Sequence, residues 1–257
     1  MIVLALGDVF GAPGLDIVRE KLWSVRRHYR ADICVVNGEN ASGLGLTSAQ
    51  ARTLHESGAD VITLGNHTYS KKEIADFLED NDFIIRPANY APSAPGRGYT
   101  IYDTGKHRLC VINLSGQVFM RTGFESPFLK ADEILKKLPE DIKHIVVDFH
   151  AEATSEKNAL GYYLDGRVSA VFGTHTHIQT ADERVLPKGT GYITDIGMTG
   201  VRESVLGSSV ESCLKFFLGD PLIRIETASG QAEICGVIIE LDDKTGKCVS
   251  IERMRIS

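Results

Sequence analysis

Five apolar runs in this chain each end in a polar residue able to bind a metal. Residues 2–7 lead into Asp8, residues 33–38 into Glu39 and Asn40, and residues 61–65 into Asn66 and His67. Residues 145–149 lead into His150, and residues 168–174 into His175, Thr176 and His177. The runs are continuous rather than alternating, which is the mark of strands buried on both faces, as in a parallel sheet. Sites in α/β folds gather at the carboxyl ends of such strands. Residues far apart in sequence are therefore expected on one rim, where two carboxylates, two amides and three or four imidazoles suit one or two divalent metals. A lone histidine after a strand is usually a hydrogen-bonded rim residue, and Asp8 alone would serve as a helix cap. But four of the eight histidines stand at these strand ends, while His28, His55, His107 and His144 lie in helix-like or turn-like contexts.

The first ninety residues read as strand–helix units. A helix over 15–29 places Ile17, Val18, Leu22 and Val25 on one side, a second begins near Thr47, and a third follows a capping box at Ser70 and Glu73. Such units predict a parallel sheet with right-handed crossovers. Residues 99–103 and 108–114 read as a hairpin around Gly105, and a helix is expected over 131–138. The C-terminal third reads as strands over 191–196, 223–228, 232–241 and 249–255, the last two joined by a turn at 242–246. The expected fold class is α/β, a sheet-on-sheet core flanked by helices. One domain over 1–257 is expected, with 115–140 and 197–221 as candidates for a small cap over the site.

A net charge of −6 disfavours nonspecific binding to nucleic acid but leaves room for a small phosphate ester beside metals. No run approaches the ~18 apolar residues of a membrane span, and the chain starts on a strand rather than a signal peptide. Cys34, Cys110, Cys213, Cys235 and Cys248 are scattered and odd in number, which reads as reduced thiols in a cytoplasm. No cysteine ends the five runs, which disfavours a structural zinc site. Two metals ~3.5–4 Å apart can hold a hydroxide nucleophile and clamp two phosphoryl oxygens. With Asp8, Glu39, Asn40, Asn66, His150, His175 and His177 as ligand candidates, His67 is left over as a general acid.

Gly7-Asp8, Gly65-Asn66-His67 and Gly173-Thr174-His175-Thr176-His177 resemble motifs of the calcineurin-like metallophosphoesterases. Gly7-Asp8-Val9-Phe10-Gly11, Asn37-Gly38-Glu39-Asn40-Ala41, Gly65-Asn66-His67-Thr68 and the segment from Asp148 to Thr154 resemble the bacterial YmdB-type branch. The resemblance implies an αββα sandwich of two mixed β-sheets, two transition metals (often Fe or Mn), and hydrolysis of cyclic nucleotides such as 2′,3′-cAMP. It also implies a first metal on Asp8, Glu39, Asn40 and His177 and a second on Glu39, Asn66, His150 and His175. The wider superfamily has Asp-x-His first, where this chain has Phe10, and Asp where this chain has Glu39; Asn40 then stands in for the missing imidazole. Phosphomonoesterase activity and a non-catalytic regulatory metal-binding module are the competing readings, and a homo-oligomer is left open. Glu152, Thr154 and Ser155 are candidates to orient His150 or to touch substrate. Phe10, Phe119 and Phe124 are candidates to stack on a base, and Arg121 and Arg202 to contact phosphate.

Overall fold

A computed structural model describes residues 1–120 and 123–257. The first half of the chain forms β1 (Ile2–Leu6), β2 (Asp8–Val9), α1 (Gly11–Tyr29), β3 (Ile33–Asn37), α2 (Ser48–Glu56), β4 (Val61–Thr63), α3 (Ile74–Asp80) and β5 (Ile84–Ile85). Then come β6 (Tyr99–Asp103), β7 (Arg108–Ser115), α4 (Pro127–Lys137), β8 (His144–His150), α5 (Thr154–Leu164) and β9 (Ala170–Thr174). The last third holds β10 (Arg184–Val185), β11 (Gly191–Ile193), β12 (Met198–Val201), α6 (Val210–Phe217), β13 (Ala232–Leu241) and β14 (Cys248–Ile256).

Two mixed sheets result. One runs β2-β12-β13-β1-β3-β4-β5, with β14 added on β13; β1, β3, β4 and β5 are parallel, and β13 is antiparallel to β1 and β14. The other runs β10-β11-β9-β8-β7-β6, parallel from β11 to β7 and antiparallel at both edges. Strand periodicity divides the apolar residues between two faces. Val3, Ala5, Val35, Val61, Val111, Val146 and Phe172 fill the space between the sheets. Leu4, Leu6, Cys34, Val36 and Ile62 face the other way, onto Ile17, Val18 and Leu22 of α1, Leu54 of α2 and Phe77 of α3. On the outer face of the second sheet, Cys110, Ile112, Val147 and Phe149 meet Ala131 and Ile134 of α4 and Leu160 of α5. The layering is the expected αββα sandwich, and truncating a central residue such as Leu4 to Ala would cost roughly 2–5 kcal/mol.

Several local readings change. Residues 70–73 form no capping box: α3 starts at Ile74 without a side-chain cap, and Glu73 Oε1 instead accepts from the Ser48 amide and hydroxyl. The capping box belongs to α2, where Thr47 and Gln50 satisfy each other's backbone. Residues 223–228 are not a strand; Thr227 makes a single bridge to Ser208, and Leu222 and Ile225 stay exposed, so no sheet face rewards pairing. Two helices, α5 and α6, escape the sequence reading. The 115–140 stretch holds α4, and the 197–221 stretch holds β12, which pairs with β2 and β13.

Candidate metal centre

The carboxyl ends of β1, β3 and β4 in one sheet and of β8 and β9 in the other face the same rim. His150 closes β8, is fully buried, and sits at the hub. Its Nε2 lies 2.9 Å from Glu39 Oε1, 3.0 Å from Asn66 Oδ1 and 3.0 Å from His175 Nδ1. The protons of both imidazoles are committed elsewhere. Thr174 Oγ1 donates to Asp148 Oδ1 at 2.7 Å, so it accepts from His150 Nδ1–H at 3.0 Å. His175 Nε2–H points at Glu152 Oε2, 3.1 Å away. Two imidazole lone pairs, a carboxyl oxygen and an amide oxygen therefore face one another, and neither imidazole supplies a proton between them.

A second group stands beside the first. His177 donates Nδ1–H to the Leu206 carbonyl at 3.1 Å, which turns its Nε2 lone pair toward Asn40 Nδ2 at 3.2 Å and Asp8 Oδ1 at 3.8 Å. An amide flip would present the Asn40 oxygen there instead. Asp8 Oδ2 accepts from the His175 amide at 3.1 Å, and Glu39 Oε2 from the His67 amide at 3.1 Å. Their other oxygens, Asp8 Oδ1 and Glu39 Oε1, are buried with no hydrogen-bond donor among the described residues. An unpaired buried carboxylate is costly, and a divalent cation among these oxygen and nitrogen donors would remove that cost. Burial accordingly pushes the Asp8 and Glu39 carboxyls above their ordinary pKa. Burial also pushes His150 down to about 4 and His175 down to about 3, the neutral form that ligates metal.

The chain makes this convergence possible by local devices. A side chain at Gly65 would collide with Glu39 Oε2 and the His150 ring, so only glycine lets β4 end against them. His175 and His177 both have positive φ, 97° and 65°, a backbone state that non-glycine residues rarely adopt. Asp195 holds that turn through the Thr176 amide at 3.1 Å and hydroxyl at 2.8 Å. Buried Lys157 on α5 pairs with Asp195 Oδ2 at 2.7 Å and caps the Thr174 carbonyl at 2.8 Å. Below the centre, Asp148 accepts from Thr63, Thr174 and Asn37; burial raises it to about 7 against those donors.

Sequence reasoning missed Lys157, Asp195, Asp148 and Asn37. Asp195 was findable, because residues 191–194 run into it as the other runs do into theirs. Asn37 and Asp148 interrupt apolar strands, a visible signal; Lys157 gave none. Glu152 orients His175 rather than His150. Phe124 is buried against Tyr90, 4.6 Å between ring centroids, and Phe10 stands edge-on to His177 at 5.6 Å. Arg202 is exposed beside Glu203, and Arg121 lies outside the described residues. His67 stays clear of the lone-pair cluster. With Asn66, Phe119, Met120, Glu152 and His175 it lines a cavity of about 280 Å³.

A family model described as YmdB-like protein matches residues 4–254. The chain belongs to the YmdB-like family. A full-length relative is the 2′,3′-cyclic-nucleotide 2′-phosphodiesterase of Bacillus subtilis (strain 168), 48% identical over 258 residues, which span 100% of this chain and 97% of that protein. Among solved structures, a hypothetical protein from Thermus thermophilus superposes with a TM-score of 0.91 at 40% identity, covering 99% of this chain and 98% of that one. A novel phosphatase from Mycoplasma pneumoniae superposes with a TM-score of 0.92 at 35% identity, covering 100% and 93%. YmdB-like membership agrees with the αββα layering and with the motifs at the strand ends.

Proposed function

We propose that this chain is a metal-dependent phosphodiesterase that opens 2′,3′-cyclic nucleotides by breaking the bond from phosphorus to O2′. The observation that carries the reading is the cluster in which Glu39 Oε1, Asn66 Oδ1 and His175 Nδ1 crowd within about 3 Å of His150 Nε2 with neither imidazole supplying a proton. The full-length similarity to the Bacillus subtilis phosphodiesterase supports the substrate class. In this reading Asp8, Glu39, Asn40 and His177 hold one metal, and Glu39, Asn66, His150 and His175 hold another, with Fe or Mn the favoured ions. Metals bound there would clamp the phosphoryl oxygens and acidify the attacking water.

The chain's own groups do the rest. Asp148, through Thr174, fixes the proton on His150 Nδ1 and keeps Nε2 free. Glu152 does the same for His175, and the Leu206 carbonyl for His177. His67, in the wall of the cavity, gives its proton to O2′ as that oxygen leaves, so the alkoxide never has to carry its charge into water. Of the cap candidates 115–140 and 197–221, Phe119, Met120 and Leu206 border the centre and serve as its cover. Among the described residues, no helix is long and apolar enough to cross a membrane. The five cysteines are buried and free, which supports a cytoplasmic setting.

The test is hydrolysis of matched substrates by protein reconstituted with Mn or Fe. Turnover of 2′,3′-cAMP to the 3′-monophosphate, with slow or no attack on 3′-AMP and 2′-AMP, is expected. Faster release of phosphate from the monoesters would make the chain a phosphomonoesterase.

A further inference from the structure

We infer that Phe119 is the platform on which the nucleobase of the substrate stacks. The inference rests on the phosphodiesterase reading above. In a 2′,3′-cyclic nucleotide the leaving oxygen remains on the ribose. The group that protonates it must therefore face the nucleoside side of the phosphorus, and that group is His67. The cavity that His67 lines thus receives the sugar, and the base must lie one sugar's breadth from the phosphorus against whatever else walls it: Phe119, Met120 and Glu152. A larger cavity of about 530 Å³, walled by Phe10, Leu44, Lys71 and Ile225, is lined by neither His67, Asn66 nor His175.

Phe119 carries two further marks. Its side chain is 83% exposed although Phe is among the residues folding most readily buries. Its φ is 63°, a left-handed backbone that a bulky residue rarely adopts. Neither the exposure nor the strain is offset by packing against the described residues, and backbone outliers of this kind cluster at ligand clamps. A base has two apolar faces and needs an aromatic surface of this size. Glu152 is engaged with His175, so the wall offers stacking rather than a dedicated hydrogen-bond code. Every base is then accepted, and purines, with the wider face, are held more tightly than pyrimidines.

The experiment measures steady-state kinetics of wild type, Phe119→Ala and Phe119→Trp at matched metal content. The substrates are 2′,3′-cAMP and methyl riboside 2,3-cyclic phosphate, which has no base. On 2′,3′-cAMP, Phe119→Ala should raise KM on the order of 10-fold with kcat little changed, the usual loss for one stacked base, and Phe119→Trp should restore it. Removing the base and removing the ring should not be additive: the methyl riboside should bind wild type about as weakly as it binds Phe119→Ala. A KM for 2′,3′-cAMP indifferent to Phe119, or an equal rise on the methyl riboside, would overturn the platform while the phosphodiesterase stands. Absence of turnover of any cyclic diester by wild type would remove both.

Discussion

At the scale of single residues, the centre is defined by where protons go. Imidazole ligates only through an unprotonated nitrogen, and each of His150, His175 and His177 has its other nitrogen committed to an oxygen of Thr174, Glu152 or Leu206. His67 stands apart, its Nδ1 no closer than 3.5 Å to the Ser70 hydroxyl. Removing it should therefore leave the metals in place. His67→Ala is expected to keep its metal content and lose ~10²–10⁴-fold in kcat on 2′,3′-cAMP, the usual contribution of a general acid. On bis(4-nitrophenyl) phosphate, whose leaving group needs little protonation, the loss should be far smaller. Equal losses on the two substrates would mean that His67 positions phosphate instead. The eight candidate residues were legible because each ends an apolar run. Which nitrogen of each histidine faces inward was not, since that depends on oxygens contributed from elsewhere in the chain.

At the scale of elements, the turn after β9 carries most of the difficulty. It must hold two non-glycine residues at positive φ so that His175 and His177 reach neighbouring positions. The buried Lys157–Asp195 pair, from α5 and the end of β11, supplies the restraint. Asp195→Ala would strand the Lys157 ammonium and free the Thr176 amide. Loss of one partner of a buried pair typically costs ~3–5 kcal/mol. Urea unfolding of the metal-free protein should show that loss, and metal titration should show affinity falling roughly 10–100-fold, as for other groups that orient ligands. Unchanged metal affinity would reduce the pair to a purely structural role. The central strands and the β13–β14 hairpin were readable because burial and turn chemistry agree there. The strand expected over 223–228 failed because β-forming residues do not pair without a sheet edge and a covered face. Helix α5 went unread because Lys157 and Glu156 are buried on its inner side, so its pattern is not amphipathic.

At the scale of the whole molecule, two sheets bring candidate ligands separated by up to 169 positions, Asp8 to His177, onto one rim. Their pairing reads in the sequence as order and spacing, whereas the network below the rim, Asn37–Asp148–Thr174, depends on the sheets facing each other. The acid–base balance of the metal-free protein follows from burial. Asp8 and Glu39 are raised, so their contribution to stability is present below the ordinary carboxylate pKa and is lost as pH rises through the folded values. His150 and His175 are lowered to about 4 and about 3, so stability falls as pH drops from the ordinary imidazole value toward those figures. At the ordinary glutamate pKa the raised Glu39 is still largely protonated while His150 and His175 are mostly neutral, so metal added there should displace a carboxylic-acid proton more than imidazole protons. Infrared spectra at that pH should lose a buried carboxylic-acid band on addition of Mn. Loss of imidazolium signals alone would place the protons on the histidines.

Glu39 Oε1 lies against His150 of the first group with no donor of its own, and His177 of the second group is near enough to act on the Glu39 carboxyl electrostatically. Elemental analysis of wild type and Glu39→Ala, purified under the same metal-replete conditions, therefore tests the bridged two-metal centre most directly. Wild type should carry two transition-metal ions per chain, and Glu39→Ala should fold with both sites depleted. Two full equivalents retained by Glu39→Ala would contradict the account.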